Sequence, residues 1–213
     1  MSQGVSLVLK YFANLSDEQY NQFSSLFEVY SDWNSKINVI SRKDFGHFYE
    51  RHVLHSLSIA KYIAFVPGTQ ILDLGTGGGF PGIPLAILFP DVLFHMIDGT
   101  GKKIKVVNDV IGHLGLNNAK GQQIRAEELK LNYDFVLSRA VASIDKLYFW
   151  SQRLLSDTHF NPLPNGLIAL KGGHLNDELK ALPKGSYFEK IPLTDYYDEQ
   201  WFEEKYLLYV QGE

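Results

Sequence analysis

Cysteine is absent from the 213 residues, which excludes disulfides and thiolate metal ligation together. No apolar run approaches the ~20 residues that a membrane-spanning helix needs. The opening MSQGVSLVLKYFANL lacks a basic start, and Lys10 interrupts its apolar run, so it does not read as a secretion signal. These absences fit a soluble protein of the reducing cytoplasm. An excess of positive charge is also missing. The net charge is −4, which argues against a generally adhesive nucleic-acid binder but leaves room for a local basic patch. Repeats and low-complexity linkers are absent as well. What is present is a globular composition, 45% apolar and 14% aromatic, enough for a substantial core.

The chain changes texture at Pro67-Gly68. Before it, residues 1–65 read as a helical extension. Val5, Val8, Leu9 and Phe12 fall on one helical face. Ser16 with Gln19 forms a capping-box pattern, followed by an apolar stripe from Tyr20 to Trp33. A short helix is expected near Asp44, and another carrying Val53, Leu57 and Ala60. After it, residues 66–213 alternate short apolar runs with helical ones. QILDLG, VLFHMI, AKGQQI, YDFVLS and GLIALK read as strands, with helices over IPLAILF, KIKVVNDVIGHLG and IDKLYFWSQRLL. Such alternation predicts an α/β fold of Rossmann type, with a mostly parallel sheet covered on both faces. SYFEKIPL and KYLLYVQ, with no obvious helix between them, are expected to add an antiparallel pair at one edge. Extension and sheet domain are expected to pack as one unit.

Gly75, Gly77, Gly78 and Gly79 stand directly after the first strand, in ILDLGTGGGFPGIPLA. Glycine there lets a ligand approach the backbone, and ligands of such sheets bind at the carboxyl ends of strands. The spacing alone satisfies both a dinucleotide pattern and a looser one. Asp73 narrows the choice. A carboxylate beside the turn repels a pyrophosphate but suits a cation, and S-adenosylmethionine carries a sulfonium and an ammonium. Asp98, ending the second strand, is placed to accept ribose hydroxyls from either cofactor class. Arg125 to Glu128 follow the third strand and Ser138-Arg139-Ala140 the fourth, so both stretches face the ligand edge. An arginine ending the apolar run YDFVLS is a strong functional candidate. Glu127 and Glu128 read equally well as a solvated helix start. His47, His52 and His55 raise a metal site, but no third ligand stands at a clear spacing, and none is expected.

The ordered set WNSKINVIS (33–41), RHVLHSL (51–57), ILDLGTGGGFPGIPLAI (71–87), IRAEEL (124–129), LSRAVAS (137–143) and ALKGG (169–173) resembles the RsmG family, also called GidB, over nearly the whole chain. The family consists of class I S-adenosylmethionine-dependent methyltransferases that make 7-methylguanosine in bacterial 16S ribosomal RNA. The resemblance implies cofactor contacts at Asp73, Gly75, Gly77, Gly79, Phe80, Asp98, Ala126, Glu127 and Arg139. It implies roles around the target base for Asn38, Arg51, His52, Arg139 and Lys171. Lys102, Lys103, Arg125, Lys171 and Lys205 are the expected RNA contacts, the substrate being 16S ribosomal RNA or a small-subunit particle. A monomer is the default expectation.

The chain departs from the family's usual pattern at four positions. Gly78 replaces a proline, which should loosen the loop. His55 replaces an aspartate, Gly99 a serine, and Lys205 an arginine, and lysine cannot make the same bidentate phosphate contact. The implied chemistry needs no general base, because guanine N7 carries a free lone pair and no proton. Two alternatives to this reading are an assembly factor with a relic cofactor pocket and an NAD-linked oxidoreductase.

Overall fold

The computed structural model describes residues 3–139 and 141–213. Four helices come first: α1 (Gln3–Tyr11), α2 (Asp17–Lys36), the short α3 (Arg42–Phe45) and α4 (His55–Tyr62), the last entered through a π-helical turn, Tyr49–Leu54. Ser16 caps α2 by accepting from the Gln19 N–H while the Gln19 side chain reaches back to the Ser16 N–H, as the capping pattern predicts. Ser41 caps α3 by accepting from the Asp44 N–H, and its hydroxyl donates to the Asp44 carboxylate.

From residue 70 the chain alternates β1 (Gln70–Leu74), α5 (Gly82–Leu88), β2 (Leu93–Asp98), α6 (Gly101–Leu114), β3 (Ala119–Gln123), β4 (Phe135–Arg139), α7 (Ile144–Gln152) and β5 (Gly166–Gly172). Then come α8 (Asn176–Lys180), β6 (Phe188–Pro192) and β7 (Lys205–Gln211). The seven strands form one sheet in the order β3-β2-β1-β4-β5-β7-β6. The first five pair in parallel, and β7 runs antiparallel to both β5 and β6. Strand order reverses between β1 and β4, which places the ligand edge at their carboxyl ends.

The central strands are apolar on both faces because helices cover both faces. Ile71, Phe94, Phe135, Leu137 and Ile168 point into one core, shared with α5, α6 and the N-terminal helices through Val8, Phe23, Leu26 and Tyr30. Their neighbours Leu72, Ile97, Val136 and Ala169 point into the other, with α7 and Leu129. This alternation is the period of two that a pleated strand imposes. Among the described residues, no helix is long and apolar enough to cross a membrane.

Two expectations shift. The helix expected over IDKLYFWSQRLL stops at Gln152, because Leu154 and Leu155 turn back into the core, where Leu155 bridges to Tyr133. The run between SYFEKIPL and KYLLYVQ holds two short 3-10 turns, Leu193–Asp195 and Gln200–Phe202. The second carries Trp201 to the site.

Candidate functional site

The glycine turn is shaped by positive φ angles: +72° at Gly75, +59° at Gly77 and +99° at Gly79. Side chains rarely adopt this region. Gly75 has a second reason to lack a side chain. A Cβ there would lie 2.6 Å from Cγ2 of Val141, in the loop after β4. At Gly78, where the sequence leads to the expectation of a looser loop, two contacts bear on the turn. The Tyr30 hydroxyl donates to the Gly78 carbonyl at 2.6 Å, and Val39 fills the space a Cβ would take. Helix α2 and the loop that follows it therefore pack on the turn.

Asp73 is fully buried. Its Oδ2 accepts from the Thr76 hydroxyl at 2.6 Å and from the Gly82 N–H at 2.9 Å. Its Oδ1, also buried, has no hydrogen-bond partner. Burial pushes the carboxyl up from 3.8 to about 6, against the pull of these donors and of Arg139. A buried anion with one unpartnered oxygen is suited to a cationic donor, which is the group an aminoacyl sulfonium offers. Asp98 has less freedom. One oxygen accepts from the Gly77 N–H at 3.1 Å and the other from the Thr100 N–H at 2.8 Å, with Lys103 at 3.6 Å. Each carboxylate oxygen has a further lone pair for a ribose hydroxyl. A cavity of about 290 Å³ opens beside it, lined by Gly75, Asp98, Gly99, Ala126, Glu127 and Trp150.

A second cavity, about 580 Å³, has among its walls Val141, the side chain that packs against Gly75 of the first. Arg51, His52, Arg139, Lys171, Trp201 and Lys205 are among its walls. Arg139 is half-buried, with its guanidinium carbon 5.0 Å from the centre of the Phe80 ring. It donates to Nδ1 of His52 at 3.2 Å and to the Arg51 carbonyl at 3.4 Å. Because a guanidinium only donates, this contact makes Nδ1 the acceptor and leaves the proton of neutral His52 on Nε2. Burial, then the Arg139 charge, lower His52 from 6.5 to about 3. Burial brings Arg139 down to about 10, still protonated at neutral pH. Arg51 pairs with Asp44 at 2.8 Å and lies over Trp201. Lys205 lies over the same indole, 4.8 Å from its centre.

The surroundings of the other sequence-predicted residues differ in kind. Phe80 is only 3% exposed and packs among Tyr30, Phe48 and His52, so its ring serves the core and the arginine. Asn38 is exposed in the loop after α2, next to Val39. Lys171 is committed: its ammonium donates to the Ala142 carbonyl at 2.5 Å and pairs with Glu178 at 2.7 Å. Lys102 and Arg125 are exposed at the ligand edge. His55 is buried edge-on against Trp201, with Nε2 unpartnered, and burial holds it neutral. His47 faces Glu50, so the three histidines do not converge. Ala140 and the side chain of Arg42 lie outside the described residues and atoms. The sequence reading missed Val141, Trp150, Glu178 and Trp201. Position in the strand–helix alternation signals the first two, which follow β4 and lie on its helix. Nothing local signals the last two.

The family model described as GidB, rRNA small subunit methyltransferase G, matches residues 19–197. The chain is 52% identical over 206 residues to the ribosomal RNA small subunit methyltransferase G of Phocaeicola vulgatus, covering 97% of this chain and 98% of that one. It is 49% identical over 206 residues to the protein of the same name from Cytophaga hutchinsonii, covering 97% and 99%. Among solved structures, the fold resembles a precorrin-6y C5,15-methyltransferase from Geobacter metallireducens, with a TM-score of 0.56 at 10% identity over 75% of this chain and 88% of that one. It also resembles a SAM-dependent methyltransferase from Aquifex aeolicus, with a TM-score of 0.52 at 16% identity over 73% and 88%.

Proposed function

This chain belongs to the rRNA small subunit methyltransferase G family, and from that premise we propose that it methylates N7 of one guanosine in bacterial 16S ribosomal RNA. The single observation that carries the reading is the relatedness itself: about half the residues are identical to curated members over 97% of the chain. It displaces the oxidoreductase alternative.

When bound, S-adenosylmethionine supplies an electrophilic methyl group, which guanine N7 can accept in line without first losing a proton. Asp73, with its unpartnered buried Oδ1, holds the cationic amino acid end. Asp98 accepts from the ribose, and Ala126, Glu127 and Trp150 line the adenine side. Gly75, Gly77 and Gly79 let the backbone come close.

The residues around the second cavity position the RNA. Arg139 is held between Phe80 and His52, aimed by contacts that leave it little freedom. His52, its basicity suppressed to about 3, takes up no second proton at neutral pH, which agrees with a reaction that needs no base. Positioning can supply several kcal/mol of the barrier. We assign Asn38 and Arg51 to the target base and Lys102, Arg125 and Lys205 to the phosphates, with Lys103 drawn towards Asp98 instead. We assign residues 1–65 to a helical extension that works as one unit with the methyltransferase domain, 66–213. The protein acts as a monomer in the cytoplasm.

The test is transfer of labelled methyl from S-adenosylmethionine to small-subunit RNA lacking the modification, free and in particles. Borohydride–aniline cleavage then maps the product. One cleavage at a single guanosine in 16S RNA is expected. Transfer without cleavage would overturn the N7 assignment, and cofactor binding without transfer to either form would leave a binding protein.

A further inference from the structure

Sequence reasoning gives Lys171 to the RNA, but its surroundings point elsewhere. The side chain is 9% exposed, and two of its three ammonium donors are used within the protein. One reaches the Ala142 carbonyl at 2.5 Å and the other Oε2 of Glu178 at 2.7 Å. That same oxygen accepts the N–H of Ile144, the first residue of α7, at 2.8 Å. The pair thus pins residues 142 and 144 of the turn that joins β4 to α7. Within this turn stands Val141, and Val141 rests on Gly75, where even one added carbon would come within 2.6 Å of it. Gly75 opens the glycine turn.

We propose that Lys171 and Glu178 are positioning residues for the cofactor turn: they fix the loop after β4 so that Val141 seats Gly75, and Lys171 is not a phosphate contact. An approaching phosphate would have to compete with a carboxylate already 2.7 Å away, in a place where separating the two charges is costly. The inference rests on the reading of the glycine turn as the S-adenosylmethionine site.

The experiment measures two bindings: S-adenosylhomocysteine by calorimetry, and the 16S hairpin RNA across a salt series. Lys171→Met and Glu178→Ala are each expected to weaken S-adenosylhomocysteine about five- to tenfold, the scale of coupling between contacting groups. The KM for S-adenosylmethionine should rise while the KM for RNA holds. Lys171→Arg, which keeps a cation able to reach both oxygens, should recover most of the affinity. The salt slope of RNA binding should not change in any of them.

The opposite pattern overturns the proposal: unchanged S-adenosylhomocysteine binding, or a salt slope that falls by roughly 0.7–0.9 in Lys171→Met, the signature of one lost phosphate contact. Should Lys171→Met fail to fold, Glu178→Ala decides alone. It frees the lysine charge, so tighter RNA with unchanged S-adenosylhomocysteine is the overturning result, and weaker S-adenosylhomocysteine with unchanged RNA the supporting one. A wild-type protein that does not bind S-adenosylhomocysteine overturns the cofactor reading and this role with it. A wild type that binds it but transfers no methyl to RNA overturns only the proposed reaction.

Discussion

Across the ligand edge, the half built on β1 and β2 is acidic, while the half built on β4, β5 and β7 is cationic. Asp73 and Asp98 belong to the first; Arg139 and Lys205 to the second, joined by Arg51 from the π-helical turn, while Lys171 there is already paired with Glu178 and Arg51 with Asp44. The strand reversal runs between them, since β1 and β4 are neighbours. This division shows how a chain of net charge −4 can serve RNA. On the proposed reading, acid is kept where the cationic cofactor binds and the positive charge is gathered on the other side, with two histidines held neutral among the cations.

The sharpest way to break this comparison is at Arg139, the only one of these cations that ends a central parallel strand. Arg139→Ala removes the donor to His52 and the charge above Phe80. Methyl transfer is expected to fall about 100-fold, the scale associated with misplacing a reacting group. Arg139→Lys should not restore it, because an ammonium lacks the planar fork. Single-turnover rates at saturating S-adenosylmethionine check this, and full activity in Arg139→Ala would take the residue out of the mechanism. The same variant should let His52 titrate closer to 6.5, since the Arg139 charge is the second cause of its depression. Histidine NMR reads that directly.

A smaller effect separates the halves by pH. Asp73 and His52 are shifted in opposite directions. Asp73 is raised from 3.8 to about 6, so its contribution to stability is present below 3.8 and lost as pH rises through about 6. Holding it ionised at neutral pH costs the fold about 3 kcal/mol. His52 is lowered from 6.5 to about 3, so its contribution is present above 6.5 and lost as pH falls through about 3. A cationic ligand favours ionised Asp73. S-adenosylmethionine should therefore bind more tightly as pH climbs from 5 to 7. Asp73→Asn should bind at least tenfold more weakly, flatten that pH dependence, and flatten the fall in thermal stability over the same range. Calorimetry and melting curves across pH test all three, and an Asp73→Asn variant with wild-type affinity would remove the acidic half from cofactor binding.

The two halves were not equally legible. The acidic half is local: Asp73 and the glycine cluster lie within seven residues, 73–79, and Asp98 ends the next strand, so strand–turn–helix periodicity alone placed them together. Even the edge pair was readable, because KYLLYVQ and SYFEKIPL have no helical run between them. The cationic half is assembled from residues 51, 139, 171, 201 and 205, which only the closed sheet brings to one cavity. Residue type also misled there. Lys171 looks like a free cation until Glu178, invisible as a partner in one dimension, is seen beside it. Phe80 sits in the glycine motif, yet its ring belongs to the core beneath Arg139.

The smallest expected effect concerns two neighbouring lysines at the seam between the halves. Lys102 and Lys103 open α6, next to the glycine turn, and the sequence cannot distinguish them. The structure does: Lys103 stands 3.6 Å from Asp98, whereas Lys102 is exposed with no acidic partner among the described residues. A lysine already neutralised by a carboxylate releases few counterions when RNA binds, and an unpaired one releases about one. Lys102→Ala should therefore lower the salt slope of RNA binding by roughly 0.7–0.9, and Lys103→Ala by much less. Lys103→Ala should instead disturb cofactor affinity slightly, by freeing Asp98 to shift. Equal slopes in the two variants would mean that the acidic half does not hold its lysine apart from the RNA, and the boundary between the halves would have to be drawn elsewhere.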